Sequence, residues 1–174
     1  MRRRFQELVR EYQHRIYNFA CYCLGDRDEA QDVTQEVLLK LWRNLDRIDP
    51  PGVWPWLLRV TRNASIDALR KRGTYRALLE EDPEGETALQ APSRIPGPEA
   101  LAEAADFQRQ LTQALRELAE PYRSIVVLRE IEDLHYDEIA AALDLPLNTV
   151  KVYLHRGRRM LRRRLQEFAQ HDLA

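Results

Sequence analysis

Residues 144–159, DLPLNTVKVYLHRGRR, decide the fold of the C-terminal half of this chain. The stretch indicates a tight turn followed by a basic helix, since residues 145–166 contain seven Lys or Arg residues and no Asp or Glu. Residues 136–143 precede it as a short helix-forming segment. Two helices joined in this way form a helix-turn-helix, and a basic second helix suits the major groove of DNA. The pattern therefore predicts a DNA-binding module.

The basic helix carries its candidate DNA contacts on the side opposite its apolar stripe. Val150, Leu154, Leu161 and Leu165 recur at helical spacing and form that stripe. Side chains near the N-terminus of such a helix reach base edges, and later arginines hold phosphates. The candidate contacts are Asn148, Thr149, Lys151, Val152, Tyr153, Arg156, Arg159 and Arg163. The arginine run 162–164 is also compatible with a solvated tail.

Charge is segregated along the chain, so the net charge of −1 says little about nucleic-acid binding. Residues 1–72 carry 14 basic and 10 acidic groups, residues 73–106 carry 2 and 8, and residues 107–174 carry 11 and 10. The middle segment is also punctuated by proline and glycine, which disfavours a packed core. The sequence therefore predicts an all-α fold with two small helical domains, 1–72 and 107–174, joined by a flexible acidic and proline-rich linker, 73–106.

The second predicted helix, roughly residues 28–45, combines a polar face with an exposed leucine. Val33, Val37 and Leu41 point inward at helical spacing, and a second set of residues points away from them together. That outward set is Asp32, Gln35, Glu36, Leu39 and Arg43. An apolar anchor ringed by charge favours a protein–protein contact. The alternative is an ordinary solvated face, because single exposed leucines are common.

The third predicted helix begins near Trp54 and groups arginine and asparagine on one face. These residue types contact phosphates and base edges, and aromatic side chains beside them suit stacking on unpaired bases. Packing of Trp56 into the core is the alternative for that residue. The candidate nucleic-acid contacts are Trp56, Arg59, Arg62, Asn63, Asp67, Arg70, Lys71 and Arg72.

Other classes of function find little support in the residues. Cys21 and Cys23 cannot supply a four-ligand zinc site, so neither a metal nor another cofactor is predicted. The four histidines lie apart from one another and no glycine-rich phosphate loop is present, so we expect no catalytic residues and no enzyme. No apolar run is long enough to span a bilayer, and the N-terminus enters an amphipathic helix rather than a signal core. We expect a cytoplasmic protein without membrane insertion.

Taken in order, several motifs resemble the extracytoplasmic-function (ECF) group of bacterial RNA polymerase sigma factors. The resemblance covers about residues 5–72 and 107–165. The matching motifs are DEAQDVTQEV (28–37), WLLRVTRNASIDALR (56–70), YRSIVVLR (122–129), EIA (138–140) and TVKVYLHRGR (149–158).

The resemblance implies a non-catalytic subunit that directs promoter-specific transcription initiation. Asp32, Gln35, Glu36 and Leu39 then fall on the helix that binds core RNA polymerase. The loop 46–54 and the Asn63 face match the part that reads and helps to melt the −10 element, where a base is held outside the stack. The helix-turn-helix corresponds to the reader of the duplex −35 element. The resemblance also implies regulation by an anti-sigma factor.

The chain departs from the family pattern within the helix-turn-helix. Asp144 and Asn148 stand where glycine is frequent, and Val152 and Tyr153 replace the Ser and Arg of many members. The base preference of relatives therefore does not transfer to this chain. The alternative function is an autonomous helix-turn-helix regulator that does not engage polymerase.

Overall fold

The structure of the protein is a computed structural model. The structure describes the backbone of residues 1–79 and 98–171 and the side chains of residues 1–73 and 104–168. Every regular element within these ranges is helical, which confirms the predicted all-α fold. The helices are α1 (Arg2–Leu24), α2 (Arg27–Asn44), α3 (Val53–Leu79), α4 (Pro98–Glu117), α5 (Tyr122–Glu130), α6 (Tyr136–Leu143) and α7 (Leu147–His171), with 3₁₀ turns at Leu45–Arg47 and Pro50–Gly52.

The junction between α1 and α2 is built by two residues with opposite conformational preferences. Gly25 ends α1 in the left-handed region, with φ 66°, and its N–H donates to the carbonyl of Cys21. Asp26 then caps α2 by accepting a 2.9 Å hydrogen bond from the N–H of Glu29.

Helices α1, α2 and α3 enclose one hydrophobic core. Apolar residues recur at helical spacing on each of the three helices, and each helix buries this apolar stripe against the other two. The fully buried members include Ile16, Leu24, Val37, Leu41 and Leu57. Residues 28–45 were the predicted second helix, and its inward residues Val33, Val37 and Leu41 are buried as predicted.

Helices α4 to α7 enclose a second core, which receives side chains from the first three helices. Leu115, Leu118, Ile125, Ile139 and Leu154 belong to the C-terminal helices, and all are buried. The same cluster also contains three buried residues of α1 and α3, namely Phe19, Cys23 and Leu58. The two halves of the chain are therefore in direct contact.

The helices extend into the predicted linker from both sides. The sequence placed the end of the third helix at residue 72, whereas α3 continues to Leu79, and α4 begins at Pro98. Gly73 does not end α3, because an interior glycine costs a helix only about 1 kcal/mol. The rest of the predicted flexible linker, residues 80–97, lies outside the described residues.

Helices α5 and α7 pack closely because Gly157 lacks a side chain. A Cβ atom at Gly157 would lie 2.7 Å from Cγ2 of Val126 and 3.4 Å from the carbonyl oxygen of Tyr122. At a separation below 3 Å either the Val126 side chain or one of the two helices has to shift. The glycine thereby fixes how deeply the basic helix lies against α5.

Within the described residues, no helix combines the length and the apolar character that crossing a membrane requires. The same residues hold no cluster of three His, Cys, Asp or Glu side chains arranged to bind a metal ion.

Candidate polymerase and nucleic-acid interfaces

The outward face of α2 presents an apolar side chain among polar ones. All five residues predicted for this face, Asp32, Gln35, Glu36, Leu39 and Arg43, are exposed. Leu39 is 57% exposed, and Glu36 forms a 2.6 Å ion pair with Lys40 one turn away. Leu39 therefore adds little to the core of α1, α2 and α3.

Trp42 extends the apolar part of this face and was not anticipated from the sequence. Its ring is 38% exposed and meets Phe5 of α1 edge-on, with ring centroids 5.0 Å apart. Trp42 follows Leu39 by three residues, a spacing that places both on one side of a helix. That spacing was the signal by which Trp42 could have been found.

The outward face of α3 holds the second predicted set, and the structure divides that set into two groups. Asn63, Asp67, Arg70 and Lys71 are exposed, as is Arg59. Asp67 and Arg70 lie 3.5 Å apart as an exposed ion pair, which water and salt screen strongly. These residues form a continuous polar strip that a nucleic acid can reach.

Three predicted arginines of α3 have partners inside the protein: Arg59 Nη2 donates to the carbonyl of Ala141 at 3.0 Å, and the other two are half-buried. Arg72 Nη1 lies 3.2 Å from a carboxylate oxygen of Glu29, and its Nη2 donates to the carbonyl of Leu24 at 3.3 Å. Arg62 Nε lies 3.5 Å from a carboxylate oxygen of Glu120 in the C-terminal half. Each guanidinium would have to leave its partner to contact DNA.

A groove of about 420 Å³ joins the outward faces of α2 and α3. Asp32 and Glu36 contribute from the α2 side, and Asp67, Arg70 and Lys71 contribute from the α3 side. Candidate polymerase contacts and candidate DNA contacts therefore line opposite sides of the same groove.

The two tryptophans near the start of α3 are less available than the sequence suggested. Trp56 is half-buried and packs against the N-terminal core. Trp54 stacks on Tyr12, with ring centroids 5.2 Å apart and planes 13° from parallel. The guanidinium of Arg15 lies 3.8 Å from the centre of the Trp54 ring. Burial raises the pKa of Tyr12 to about 12, so its hydroxyl stays neutral in this stack.

The helix-turn-helix has the geometry that its sequence predicts. Asp144 ends α6 in the left-handed region, with φ 55°, and its N–H donates to the carbonyl of Ala140. Glu138 stabilises the start of α6 by accepting a 2.7 Å hydrogen bond from the N–H of His135. Aspartate tolerates the left-handed conformation, which explains why the usual glycine is dispensable at position 144.

The face of α7 that turns away from α5 is open to solvent along its length. Val150 and Leu154 of the predicted stripe are buried, while Leu161 and Leu165 are half-buried. The exposed candidate contacts are Asn148, Lys151, Val152, Arg156, Arg159 and Arg163.

Tyr153 and Thr149 are the two candidates of α7 that are only half-exposed. The ring of Tyr153 packs on Tyr122 of α5, with centroids 5.1 Å apart. Tyr153 therefore also holds α7 against α5, a role that an isolated helix pattern does not reveal. Val152 is 46% exposed, and it is an apolar side chain on a helix face that otherwise carries polar and basic groups.

A buried arginine at the start of α5, which sequence reasoning did not single out, binds the C-terminal ends of α1 and α4. Arg123 is 9% exposed and donates to the carbonyls of Cys23 and Arg116, each at 2.7 Å, and of Leu118 at 3.1 Å. A cation at the C-terminal end of a helix meets unpaired carbonyls and the negative end of the helix dipole. Such a three-way contact depends on tertiary structure and has no periodic signal.

Comparison with known proteins identifies the family of this fold. Residues 8–75 match the family model described as Sigma-70 region 2, and residues 108–161 match that of Sigma-70, region 4. The ECF RNA polymerase sigma factor SigE of Mycolicibacterium smegmatis is 36% identical over 158 residues, which are 91% of this chain and 60% of that protein.

Two further similarities extend over nearly the whole chain. The structure of the sigma factor RpoE of Bartonella quintana, solved with the anti-sigma factor NepR, has a TM-score of 0.74 at 21% identity and covers 93% of this chain and 96% of its own. The ECF RNA polymerase sigma factor SigW of Bacillus subtilis is 32% identical over 168 residues, 94% of this chain and 89% of that protein. On this match and on the two sigma-70 regions, the chain belongs to the ECF RNA polymerase sigma factors.

Proposed function

We propose that this ECF sigma factor binds core RNA polymerase through α2, reads the −10 element with α3 and reads the −35 element with α7. The observation that carries the proposal is the joint exposure of the Leu39 face, the Asn63 strip and the basic face of α7. An autonomous repressor needs only the last of these surfaces. Family membership also favours the polymerase subunit over that alternative.

The polymerase contact is proposed for Asp32, Gln35, Glu36, Leu39 and Arg43 of α2. An exposed leucine inside a polar rim matches the anatomy of an interface in which an apolar anchor is desolvated by its partner. Trp42 enlarges that anchor, since it lies one helical turn from Leu39.

The −10 contact is proposed for the exposed strip of α3 and for the arginines that flank it. Asn63 offers both a donor and an acceptor, while Arg59, Arg70 and Lys71 supply positive charge. Trp56 completes this surface at its N-terminal end. A melted strand exposes base edges that such side chains can bind, and binding an unstacked base offsets an unpairing cost of about a few kcal/mol. Promoter opening is then driven by binding.

The −35 contact is proposed for the N-terminal half of α7 in the major groove of duplex DNA. Asn148 and Lys151 are placed to meet base edges, and Arg156, Arg159 and Arg163 to meet phosphates. Val152 provides an apolar surface, and the C5-methyl group of thymine is the apolar feature that a major groove offers.

Regulation by an anti-sigma factor and action in the cytoplasm complete the proposal. The Bartonella quintana relative was solved in complex with an anti-sigma factor, and its fold covers 93% of this chain. Transcription by RNA polymerase places the activity in the cytoplasm of a bacterium. We propose no catalytic group and no cofactor for this chain.

In-vitro transcription tests the proposed function. Purified protein added to core RNA polymerase should give initiation at a discrete site on promoter DNA taken from genes induced by its overexpression. Core polymerase alone is the control and should give none. Tight binding to duplex DNA together with no measurable affinity for core polymerase would instead establish the autonomous regulator.

A further inference from the structure

Val152 lies at the centre of the outward face of α7. With about 100° between successive residues, Val152 stands about 160° from both Val150 and Leu154 around the helix axis. Those two side chains are buried, whereas Val152 is 46% exposed. Val152 therefore points away from the helices on which α7 packs.

Contacts on both flanks of α7 fix the direction in which Val152 points. On one flank the ring of Tyr153 packs on Tyr122 of α5, with ring centroids 5.1 Å apart. On the other flank Arg158 forms a 2.6 Å ion pair with Glu130 at the end of α5. Rotation of α7 about its axis would disturb both contacts. The direction of the Val152 side chain is therefore set before any DNA is bound.

Polar and basic side chains surround Val152 on this face. Asn148 lies one helical turn before Val152 and Arg156 one turn after it, and both are exposed. Lys151 and His155 are exposed beside them. Each of these four side chains can form hydrogen bonds, whereas Val152 can form none. The centre of the face thus differs in chemistry from its rim.

Val152 also lies in the part of α7 that a helix-turn-helix brings to base edges. Helix α7 begins at Leu147, so Val152 lies five residues, or about 7–8 Å, along its axis. Recognition helices contact bases through such N-terminal residues. Valine is branched at Cβ and keeps one strongly preferred rotamer in a helix, so its two methyl groups lose little freedom when they are covered.

Thymine is the base that an apolar side chain fits in the major groove. Its C5-methyl group is the apolar group that base pairs display there, whereas cytosine displays the N4 amino group, a donor. A valine placed over that amino group would remove it from water without offering an acceptor, which costs free energy. The surface around Val152 therefore favours a methyl-bearing pyrimidine.

We propose that Val152 reads the C5-methyl group of a pyrimidine in the −35 duplex and thereby selects thymine at one position. The proposal rests on the proposed −35 role of α7, to which it adds the base and the atom that are read. Val152 is one of the departures of this chain from the family pattern, so the selection is a property of this chain.

The experiment compares duplexes that differ by a single methyl group. A duplex is first selected from a random pool by binding to the full-length protein, and in parallel to its complex with core polymerase. Each thymine of that duplex is then replaced in turn by uracil, which lacks only the C5-methyl group. At one position uracil should weaken binding about fourfold, the effect of withdrawing one methyl group from a contact that excludes water.

Val152→Ala and Met160→Ala form a matched pair of variants. Val152→Ala shortens an exposed side chain, so the core is unchanged, and this variant should bind the thymine and uracil duplexes equally. Met160 is 39% exposed on the same helix but lies two turns further on, about 80° around the axis. Met160→Ala should keep the fourfold difference. A uracil effect that persists in Val152→Ala would mean that the methyl group acts through DNA shape, and would overturn the contact.

5-Methylcytosine separates the methyl group from the rest of the thymine base. Placed at the same position opposite guanine, it should bind the parent about fourfold more tightly than cytosine does, because Val152 meets the same methyl group. Val152→Ala should again show no difference. Equal affinities of the parent for cytosine and 5-methylcytosine would contradict the proposal.

Transcription distinguishes failure of this proposal from failure of the proposed function. Initiation at a discrete promoter, with no uracil effect at any thymine, would leave the sigma role standing and overturn methyl reading by Val152. A uracil effect that depends on Val152, with no affinity for core polymerase, would reject the polymerase role and establish the methyl contact. A protein that binds no duplex, alone or with core polymerase, would overturn both the −35 role of α7 and the role of Val152.

Discussion

Leu39 is the side chain whose exposure is hardest to explain by folding alone. It is 57% exposed on α2, so replacing it removes little from the core. We expect Leu39→Asp to weaken binding to core polymerase by about tenfold or more, because a buried charge would replace an apolar anchor. The measurement is the affinity of labelled full-length protein for core polymerase.

Phe107→Asp provides the control for Leu39→Asp. Phe107 is 56% exposed on α4, so the two variants make a similar change at equally exposed positions on different halves of the chain. The Phe107 variant should bind core polymerase normally. Equal affinities for the Leu39 variant and the parent would show that α2 is assigned wrongly.

Asn148 and Arg159 separate the reading of bases from the holding of phosphates on α7. Asn148→Ala should cost about 1–3 kcal/mol at one base pair and relax the preference there. Arg159→Ala should weaken binding to every duplex similarly and reduce the salt slope by about one. Affinities for a set of −35 duplexes at several salt concentrations distinguish the two patterns. Identical profiles for the two variants would contradict the assignment.

The close packing of α5 on α7 depends on the absence of a Cβ atom at Gly157. Gly157→Ala gains about 1 kcal/mol in helix propensity but forces a Cβ against Val126, where overpacking costs about 1–3 kcal/mol. We expect a net loss of about 1 kcal/mol in the free energy of unfolding. The measurement is urea denaturation of the full-length chain followed by far-ultraviolet circular dichroism.

The same substitution should change sign once the obstructing methyl is removed. Val126→Ala deletes the Cγ2 atom that lies 2.7 Å from the added Cβ, while the carbonyl of Tyr122 at 3.4 Å stays in ordinary contact. In that background Gly157→Ala should stabilise the protein. A destabilisation of equal size in both backgrounds would mean that the close approach is not the cause.

The helix faces that were predicted well belong to helices whose packing partners all lie in the same half of the chain. The outward faces of α2 and α7 follow from the spacing of Val33, Val37 and Leu41 and of Val150 and Leu154, because one buried stripe defines the opposite side. The predicted −10 set lies on α3 and the predicted −35 set on α7, although Arg62 and Arg72 are paired inside the protein and Tyr153 is packed on Tyr122. Periodicity locates a face without showing what else touches it.

Helix α3 was predicted less well because it packs on helices of both halves of the chain. Leu58 is 1% exposed and belongs to the cluster of the C-terminal helices rather than to the core of α1, α2 and α3. Its burial comes from the C-terminal half, which lies far away in the sequence. The Arg123 contact with Cys23 is hidden for the same reason, since it joins residues 100 positions apart.

We expect the two halves of the chain to unfold together, because residues of both halves form the buried cluster that contains Phe19, Cys23 and Leu58. All three tryptophans, Trp42, Trp54 and Trp56, lie within residues 1–72, so their fluorescence reports the N-terminal half, whereas circular dichroism reports both halves. Because Phe19 and Leu58 are buried by the C-terminal helices, we expect the two signals to give coincident urea transitions in the parent.

Weakening the contact between the two halves of the chain should separate these two unfolding transitions. Glu132→Arg removes the ion pair with Arg15, which joins the halves. The half with lower intrinsic stability should then unfold at lower urea than the other. Glu117→Arg, which alters the C-terminal half internally, should lower stability without changing the contact between the halves. Separate transitions in the parent would contradict coupling through the shared cluster.

The groove between α2 and α3 links two binding events by electrostatics. Asp32 and Glu36 line one wall, and Asp67, Arg70 and Lys71, which together carry one net positive charge, line the other. A phosphate backbone approaching the basic wall is repelled by the carboxylates opposite, and a protein that covers those carboxylates removes the repulsion. With α2 and α3 binding as proposed, we expect polymerase on α2 to raise the affinity of α3 for DNA, and DNA on α3 to raise the affinity for polymerase by the same factor. The affinity of the sigma subunit for either partner then depends on whether the other partner is bound.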